Sequence, residues 1–80
     1  MIKLTIVSVK SKAEHEVTWI EINTPDGNFI IQPSHAPTTF ILSPEKDFIF
    51  CSTTGKHETI VPSDRAILYI NRSEALLLLN

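Results

Sequence analysis

Short stretches in which apolar and polar residues alternate dominate this chain, and turn-forming residues separate them. Between Ile2 and Ile6 every second residue is apolar, and Ile20 and Ile22 repeat this spacing. A period of two places the apolar side chains on one face of a β-strand, whereas a helix needs a spacing of three to four residues. The pattern therefore constrains the chain to fold as strands that bury one face each.

Turn chemistry marks where these strands end. Asp26-Gly27 follows the second alternating segment. Gly55 follows the segment FIFCST, in which the successive residues FIFC are apolar, so that both faces of a strand there would be apolar. Pro62 and the segment 71–73 interrupt the later apolar runs. Turn signals that recur about every eight to twelve residues are typical of all-β sandwiches and barrels. We therefore predict an all-β fold, an antiparallel two-sheet β-sandwich of about eight to ten short strands.

The last segment, SEALLLLN, admits two interpretations. Ser73-Glu74 resembles a helix cap, and Ala and Leu favour helices. The apolar run is short, however, and an isolated terminal helix of this length is only marginally stable. We therefore predict a strand here. Across all segments, the alternation predicts that ten side chains are largely buried: Leu4, Ile6, Ile20, Ile22, Phe48, Phe50, Leu68, Ile70, Leu77 and Leu79.

Length and composition exclude several classes of protein. The 80 residues suffice for a single domain, spanning 1–80, and an apolar fraction of 42% is that of a globular protein. The net charge of −2, with no basic stripe, argues against nucleic acid as a ligand. Cys51 is the only cysteine, so we expect no internal disulfide and a small apolar role in a strand. With neither a signal peptide nor an apolar run near the roughly 18 residues of a membrane span, we expect a soluble cytosolic domain.

The residues that carry chemistry are poorly placed for catalysis or metal binding. His15, His35 and His57 are separated by 20 and 22 positions, whereas zinc ligands usually come in close pairs. No Ser or Cys lies on a glycine-flanked elbow, and the only two glycines, Gly27 and Gly55, lie in turn segments. We therefore predict no catalytic residue, no metal site and no cofactor.

Two prolines restrict the segment around His35. Pro33 and Pro37 each fix φ, and each disfavours the helical conformation of the residue before it. A loop restricted in this way has little conformational entropy to lose on binding. His35 then has two open interpretations: it satisfies backbone groups in the bend, or it contributes to a contact surface.

This segment resembles the N-terminal domain of the epsilon subunit of F-type ATP synthases. That family shows an acidic residue and Gly, a short apolar strand, and then Pro-Gly-His-Ala-Pro. Here Asp26-Gly27, the strand FII at 29–31, Pro33, and His35 followed by Ala36-Pro37 stand in that order. The opening IKLTIVS and the final HETIVPSDRAILYINRSEALLLLN match the family in pattern, so the resemblance covers essentially all 80 residues.

The sequence also departs from the family. Ser34 replaces the second glycine of the loop, Ile30 and Gln32 stand where Gly and an apolar residue are frequent, and Asp64-Arg65 stands where Gly-Gly is usual. Each lost glycine implies a backbone that avoids positive φ or an altered turn. The family usually continues with a helical hairpin, whereas this sequence ends at Asn80. The chain therefore reads as a divergent member, or as a relative with another use.

The resemblance implies a non-catalytic subunit of the central stalk of a rotary F-type ATP synthase. Such a subunit links the gamma subunit to the c-ring and couples proton or other ion transport to ATP synthesis. It is peripheral, lies on the cytoplasmic side of the bacterial inner membrane, and contacts the membrane only through the complex. The alternative is a free-standing β-sandwich adaptor of another protein complex.

The resemblance also implies two sets of contact residues. Trp19 and Tyr69 are the candidates for contact with gamma, because large amphipathic rings dominate interface energetics. Both rings could instead cover the edges of the core. The residues expected to face the c-ring are Asp26, Gly27, Asn28, Pro33, His35 and Pro37.

Overall fold

Eight β-strands and their connecting turns make up the computed structural model, which describes residues 1–79. The strands are β1 (Ile2–Val7), β2 (Lys12–Thr24), β3 (Gly27–Ile31), β4 (Thr38–Leu42), β5 (Phe48–Ser52), β6 (His57–Ile60), β7 (Ala66–Ile70) and β8 (Glu74–Leu78). The all-β prediction is confirmed, and the last segment is a strand as predicted, although Asn80 lies outside the described residues.

The strands form one curled, mixed sheet. Its order is β4-β7-β8-β1-β2-β5-β6, and β3 pairs with β2 beside this path. The prediction of two separate antiparallel sheets is wrong on two counts, because the hydrogen-bonded path is continuous and because β1 runs parallel to β8. The parallel pair arises because the β7–β8 hairpin returns to the first strand, a non-local contact that periodicity does not encode.

The long strand β2 joins the two halves of the sheet. Its first half pairs with β1, and its second half pairs with β3 and β5. The register shifts between Val17 and Trp19, which marks a β-bulge. A bulge bends a strand, and its extra residue shifts the alternation of inward and outward side chains by one position. Val17 and Ile20 are therefore both fully buried although they lie three residues apart. The shift lies where β2 passes from its pairing with β1 to its pairing with β3.

The core lies inside the curl. Nine of the ten side chains predicted to be buried are buried, and the tenth, Leu79, is half-buried at the margin. Phe48 and Phe50 are each 1% exposed, with ring centroids 6.2 Å apart. Burial of each such side chain stabilises the fold by roughly 1.5–3 kcal/mol. No polar or charged residue is buried within residues 1–79.

Candidate functional site: an apolar outer face and a braced loop

The outer side of β4, β7, β8 and β1 is apolar across four adjacent strands. Ile41 lies opposite Ile67, Ile67 opposite Leu78, and Leu78 beside Val7. A second row runs from Thr39 through Tyr69 and Leu76 to Thr5. We call this surface the Tyr69 face; its apolar members are Val7, Ile41, Ile67, Tyr69, Leu76 and Leu78.

The Tyr69 face is at least partly open to solvent. Ile41 is 52% and Tyr69 42% exposed, and the remaining apolar members are half-buried. Two hollows indent the surface, one of about 500 Å³ beside Tyr69 and Leu76 and one of about 340 Å³ beside Ile67 and Leu78. Contiguous exposed apolar surface of this kind marks protein-interaction sites.

Charged residues border this face on the β2 side. Glu14 approaches Lys3 and Lys12, each at 3.9 Å, and all three side chains are more than half exposed. Exposed ion pairs of this type contribute only about 0–1 kcal/mol. The border therefore adds little to stability, and it gives the apolar surface a polar rim of the kind found around protein interfaces.

The turn that carries Asp26 is held by its own residues. The Thr24 hydroxyl accepts a hydrogen bond from the Asp26 amide at 3.1 Å and donates to the Gly27 carbonyl at 3.0 Å. Gly27 has φ of +129°, which L side chains rarely adopt. The Asn28 amide nitrogen donates to Glu21 at 3.1 Å and to Asn23 at 3.2 Å. The side-chain nitrogen of Asn28 is therefore held by neighbouring residues of β2, whereas Asp26 is exposed at the turn.

The proline-bounded loop is anchored to the β7–β8 turn. The Ser34 amide donates to the Arg72 carbonyl at 3.0 Å. The carbonyl of Ala36 lies 2.7 Å from His35 Nδ1 and accepts from the Thr38 hydroxyl at 2.9 Å. His35 thus contacts a backbone carbonyl. Because the residue is only half-buried, part of its ring remains accessible.

Ser34 keeps the backbone conformation that glycine would favour. Its φ is +68°, so the expected avoidance of positive φ is wrong at this position, and the serine itself holds the left-handed conformation. That region costs a non-glycine residue roughly 1–2 kcal/mol. At the other departure, Asp64 Oδ1 accepts a hydrogen bond from the Arg65 amide at 2.8 Å and so satisfies a backbone donor within that turn.

The residues expected to face the c-ring fall into two groups. Asp26, Gly27 and Asn28 lie at the start of β3, whereas the loop 33–37 follows its end. At about 3.3 Å per residue, the five-residue strand separates the two groups by roughly 15 Å. The ring centroid of Phe40 lies 5.7 Å from that of Phe29, the residue after the first group, and 6.2 Å from that of His35 in the second group.

The two aromatic candidates for contact with gamma lie on different parts of the sheet. Tyr69 belongs to the Tyr69 face. Trp19 lies opposite Cys51 in the β2–β5 pair and meets His57 edge-on, with ring centroids 5.1 Å apart. Trp19 is half-buried, and Cys51 is 7% exposed and free, in agreement with its predicted place in a strand. The structure therefore does not bring the two rings together.

Sequence reasoning missed most of the Tyr69 face, although a signal was present. Successive residues of the segment AILYI, and of EALLL after its first residue, are apolar, so that both faces of each strand are apolar. This pattern is typical of strands covered on both sides. In the structure, alternate side chains of each strand fill the core, and the side chains between them point outward. The apolar residues at the outward-facing positions were therefore the sign of an apolar outer surface.

Titratable side chains form no candidate metal centre in the part of the chain that the structure describes. Within residues 1–79, no three His, Cys, Asp or Glu side chains are grouped to hold an ion. His15 Nδ1 lies 4.0 Å from a Glu58 carboxylate oxygen, and its ring packs 4.8 Å from that of Phe50. The same residues include no helix that could cross a membrane.

Comparison with solved structures gives the fold a context. One similar chain belongs to a structure of the Euglena gracilis mitochondrial ATP synthase that contains OSCP, F1 and the c-ring. It superposes with a TM-score of 0.87 at 21% sequence identity, and the match covers 98% of this chain and 49% of that chain. A chain of the Tetrahymena thermophila mitochondrial ATP synthase, in its central stalk and c-ring, gives 0.76 at 9% identity, covering 98% and 62%.

The sequence itself gives no such match. No protein-family model and no curated protein sequence matches the chain. The chain spans about half the length of the first of these structural neighbours and less than two thirds of the second. It therefore has the fold of chains found in mitochondrial ATP synthase assemblies, one of them a structure of the central stalk and c-ring.

Proposed function

We propose that this protein is a non-catalytic, epsilon-like subunit of the central stalk of a rotary ATP synthase. It links the gamma subunit to the c-ring and couples ion translocation to ATP synthesis. The observation that carries the proposal is the superposition of 98% of the chain, at a TM-score of 0.87, on a chain from an F1 and c-ring assembly. The sequence DGNFIIQPSHAP, in the order typical of the epsilon family, is a second and independent support.

The Tyr69 face is the surface we assign to gamma. It combines exposed apolar side chains, two hollows that can receive side chains, and a tyrosine on its surface. Aromatic residues flanked by well-packed apolar neighbours carry most of the binding energy of protein interfaces. Trp19 remains a second candidate, with the difference that its ring already packs against His57.

We assign the c-ring contact to the outward side of β3 together with the turn and loop at its two ends. Asn28 and Ile30 point outward, because they lie opposite Asn23 and Glu21 in the β2–β3 pair. A surface that contacts both the Asp26 turn and the His35 loop must extend along this strand. The ring would then meet Asp26, Gly27, Asn28, Pro33, His35 and Pro37, with the carboxylate of Asp26 as the only negative charge among them.

A subunit that transmits torque has to resist deformation, and the fold has features that serve this need. The 13-residue strand β2 runs through both halves of the sheet. Backbone hydrogen bonds tie loops to distant segments, from Ser34 to Arg72 at 3.0 Å and from Ser43 to Asn23 at 2.9 Å. In the assembled enzyme the subunit is peripheral and lies on the cytoplasmic side of a bacterial inner membrane, and it reaches the membrane only through the ring.

The test uses enzyme assembled with the double variant Asp26→Lys and His35→Ala in sealed vesicles. We expect ATP-driven ion pumping per ATP hydrolysed to fall, while hydrolysis by the catalytic head continues. The control is Asp47→Lys, which makes the same charge change at another exposed site. Unchanged pumping per ATP in the double variant would exclude the ring contact. Failure of the chain to join the enzyme at all would favour the alternative, an adaptor of another complex.

A further inference from the structure

Glu21 differs from the other acidic residues of the chain in its surroundings. Among residues 1–79, every Asp and Glu is exposed except Glu21 and Glu58, which are half-buried. Glu58 lies 4.0 Å from His15, whereas no ion pair within these residues includes Glu21. A negative charge that is partly removed from water costs free energy unless hydrogen bonds or an opposite charge compensate for it. Glu21 is therefore the half-buried carboxylate that lacks a cationic neighbour in the described part of the chain.

The Glu21 side chain lies on the outward side of the sheet. Its neighbours along β2, Ile20 and Ile22, are fully buried, and successive side chains of a strand point to opposite faces. The side-chain nitrogen of Asn28 donates a hydrogen bond to Glu21 Oε2 at 3.1 Å. This neutral donor orients the carboxylate on the surface but does not balance its charge.

Two isoleucines flank Glu21 on the neighbouring strands. Ile30 of β3 and Ile49 of β5 lie opposite it, one on each side. Ile30 is 57% exposed, and Ile49 is half-buried between the buried residues Phe48 and Phe50. We call these three residues, Ile30, Glu21 and Ile49, the Glu21 strip. Apolar neighbours exclude water when a partner docks, and an ion pair between them is then less screened than at an open surface.

The Glu21 strip is continuous with the surface assigned to the c-ring, because Ile30 and Asn28 belong to both. We propose that Glu21 is part of the ring contact and binds a lysine or arginine side chain of a ring loop, whose apolar neighbours cover Ile30 and Ile49. A carboxylate only accepts hydrogen bonds, and a cationic donor also compensates for its charge. This inference rests on the proposed stalk function and adds Glu21 and Ile49 to the residues of that contact.

The test measures how tightly the complex of this chain with gamma binds the purified c-ring in detergent. Glu21→Gln keeps the size of the side chain and an oxygen that accepts from Asn28, but it removes the charge. We expect the Kd for the ring to rise about fivefold, the equivalent of roughly 1 kcal/mol. Added salt should weaken the wild-type complex more than the variant. Glu16→Gln is the matched control, since it makes the same change at an exposed position of β2 outside the Glu21 strip, and the Kd should not change.

An exchange of charges provides the second arm. Glu21→Lys should weaken binding more than Glu21→Gln, and a ring in which the basic loop residue is replaced by glutamate should restore the binding of Glu21→Lys. Urea unfolding and unchanged affinity for gamma establish that each variant is folded.

The outcomes separate this inference from the stalk function. If the wild-type complex binds the ring and Glu21→Gln binds it with the same Kd and the same salt dependence, Glu21 is not part of the contact, although the stalk function stands. A ring whose stalk-facing loops contain no lysine or arginine would overturn the inference in the same way. A folded wild-type chain that binds neither gamma nor the ring would overturn both.

Discussion

Tyr69 of β7 lies directly opposite Leu76 of β8, and both side chains point outward from strands whose adjacent residues, Leu68 and Leu77, are fully buried. The β7–β8 hairpin is thus apolar on both sides for two different reasons. One parity forms the core, and the other forms the surface that we assign to the stalk partner.

This arrangement predicts opposite behaviour for two adjacent leucines. Leu77→Ala should lower the free energy of unfolding by about 3 kcal/mol, because it leaves a cavity in the core. Leu76→Ala should lower it by less than about 1 kcal/mol, since its side chain is only half-buried on the outer face. Urea unfolding of both variants measures the difference. Equal losses in the free energy of unfolding would contradict the assignment of Leu77 to the core and Leu76 to the outer face.

Ser34→Gly should stabilise the protein. Ser34 has φ of +68°, where glycine avoids the steric cost that a side chain meets, and the greater entropy of glycine in the unfolded chain offsets part of the gain. We expect a net increase of about 0.5–1 kcal/mol in the free energy of unfolding. Ser63→Gly is the matched control, since Ser63 is not among the non-glycine residues with positive φ, and it should not stabilise. A loss of stability in Ser34→Gly would show that the loop does not need this backbone conformation.

Trp19→Ala should act mainly on stability. Its ring packs against His57 and lies beside the buried Cys51, so its removal should cost about 2 kcal/mol and open the thiol to reaction with a water-soluble maleimide. The measurements are urea unfolding and the rate of thiol modification. Unchanged stability with reduced affinity for gamma would instead place Trp19 in the interface, as the sequence prediction allows.

The alternation of apolar residues was sufficient to predict an all-β fold and most of its core, because burial of one strand face is a local property of the sequence. It could not predict that β1 runs parallel to β8, since that pairing joins the two ends of the described chain. It also gave no sign that the polar stretch 12–16 belongs to β2. That stretch is a strand because its backbone pairs with β1, not because it buries a side-chain face.

The candidate site was predictable only in part. Tyr69 could be selected as a large amphipathic ring, but the face around it depends on the cross-strand alignment of Ile41, Ile67 and Leu78. The motif around His35 identified the segment, yet its anchor, the Arg72 carbonyl, lies far away in sequence. Contacts of this kind follow from the topology of the sheet, which no local pattern contains.

The central claim, that this chain is a stalk subunit, is tested most directly by its binding to the gamma subunit from the same organism, measured by isothermal titration calorimetry. We predict a one-to-one complex that Tyr69→Ala weakens by about 2 kcal/mol, or roughly 30-fold in Kd, while the domain stays folded. The control Val61→Ala removes a side chain that is 54% exposed and lies outside the Tyr69 face, and it should leave the affinity unchanged. Absence of binding by the folded wild-type chain would contradict the account.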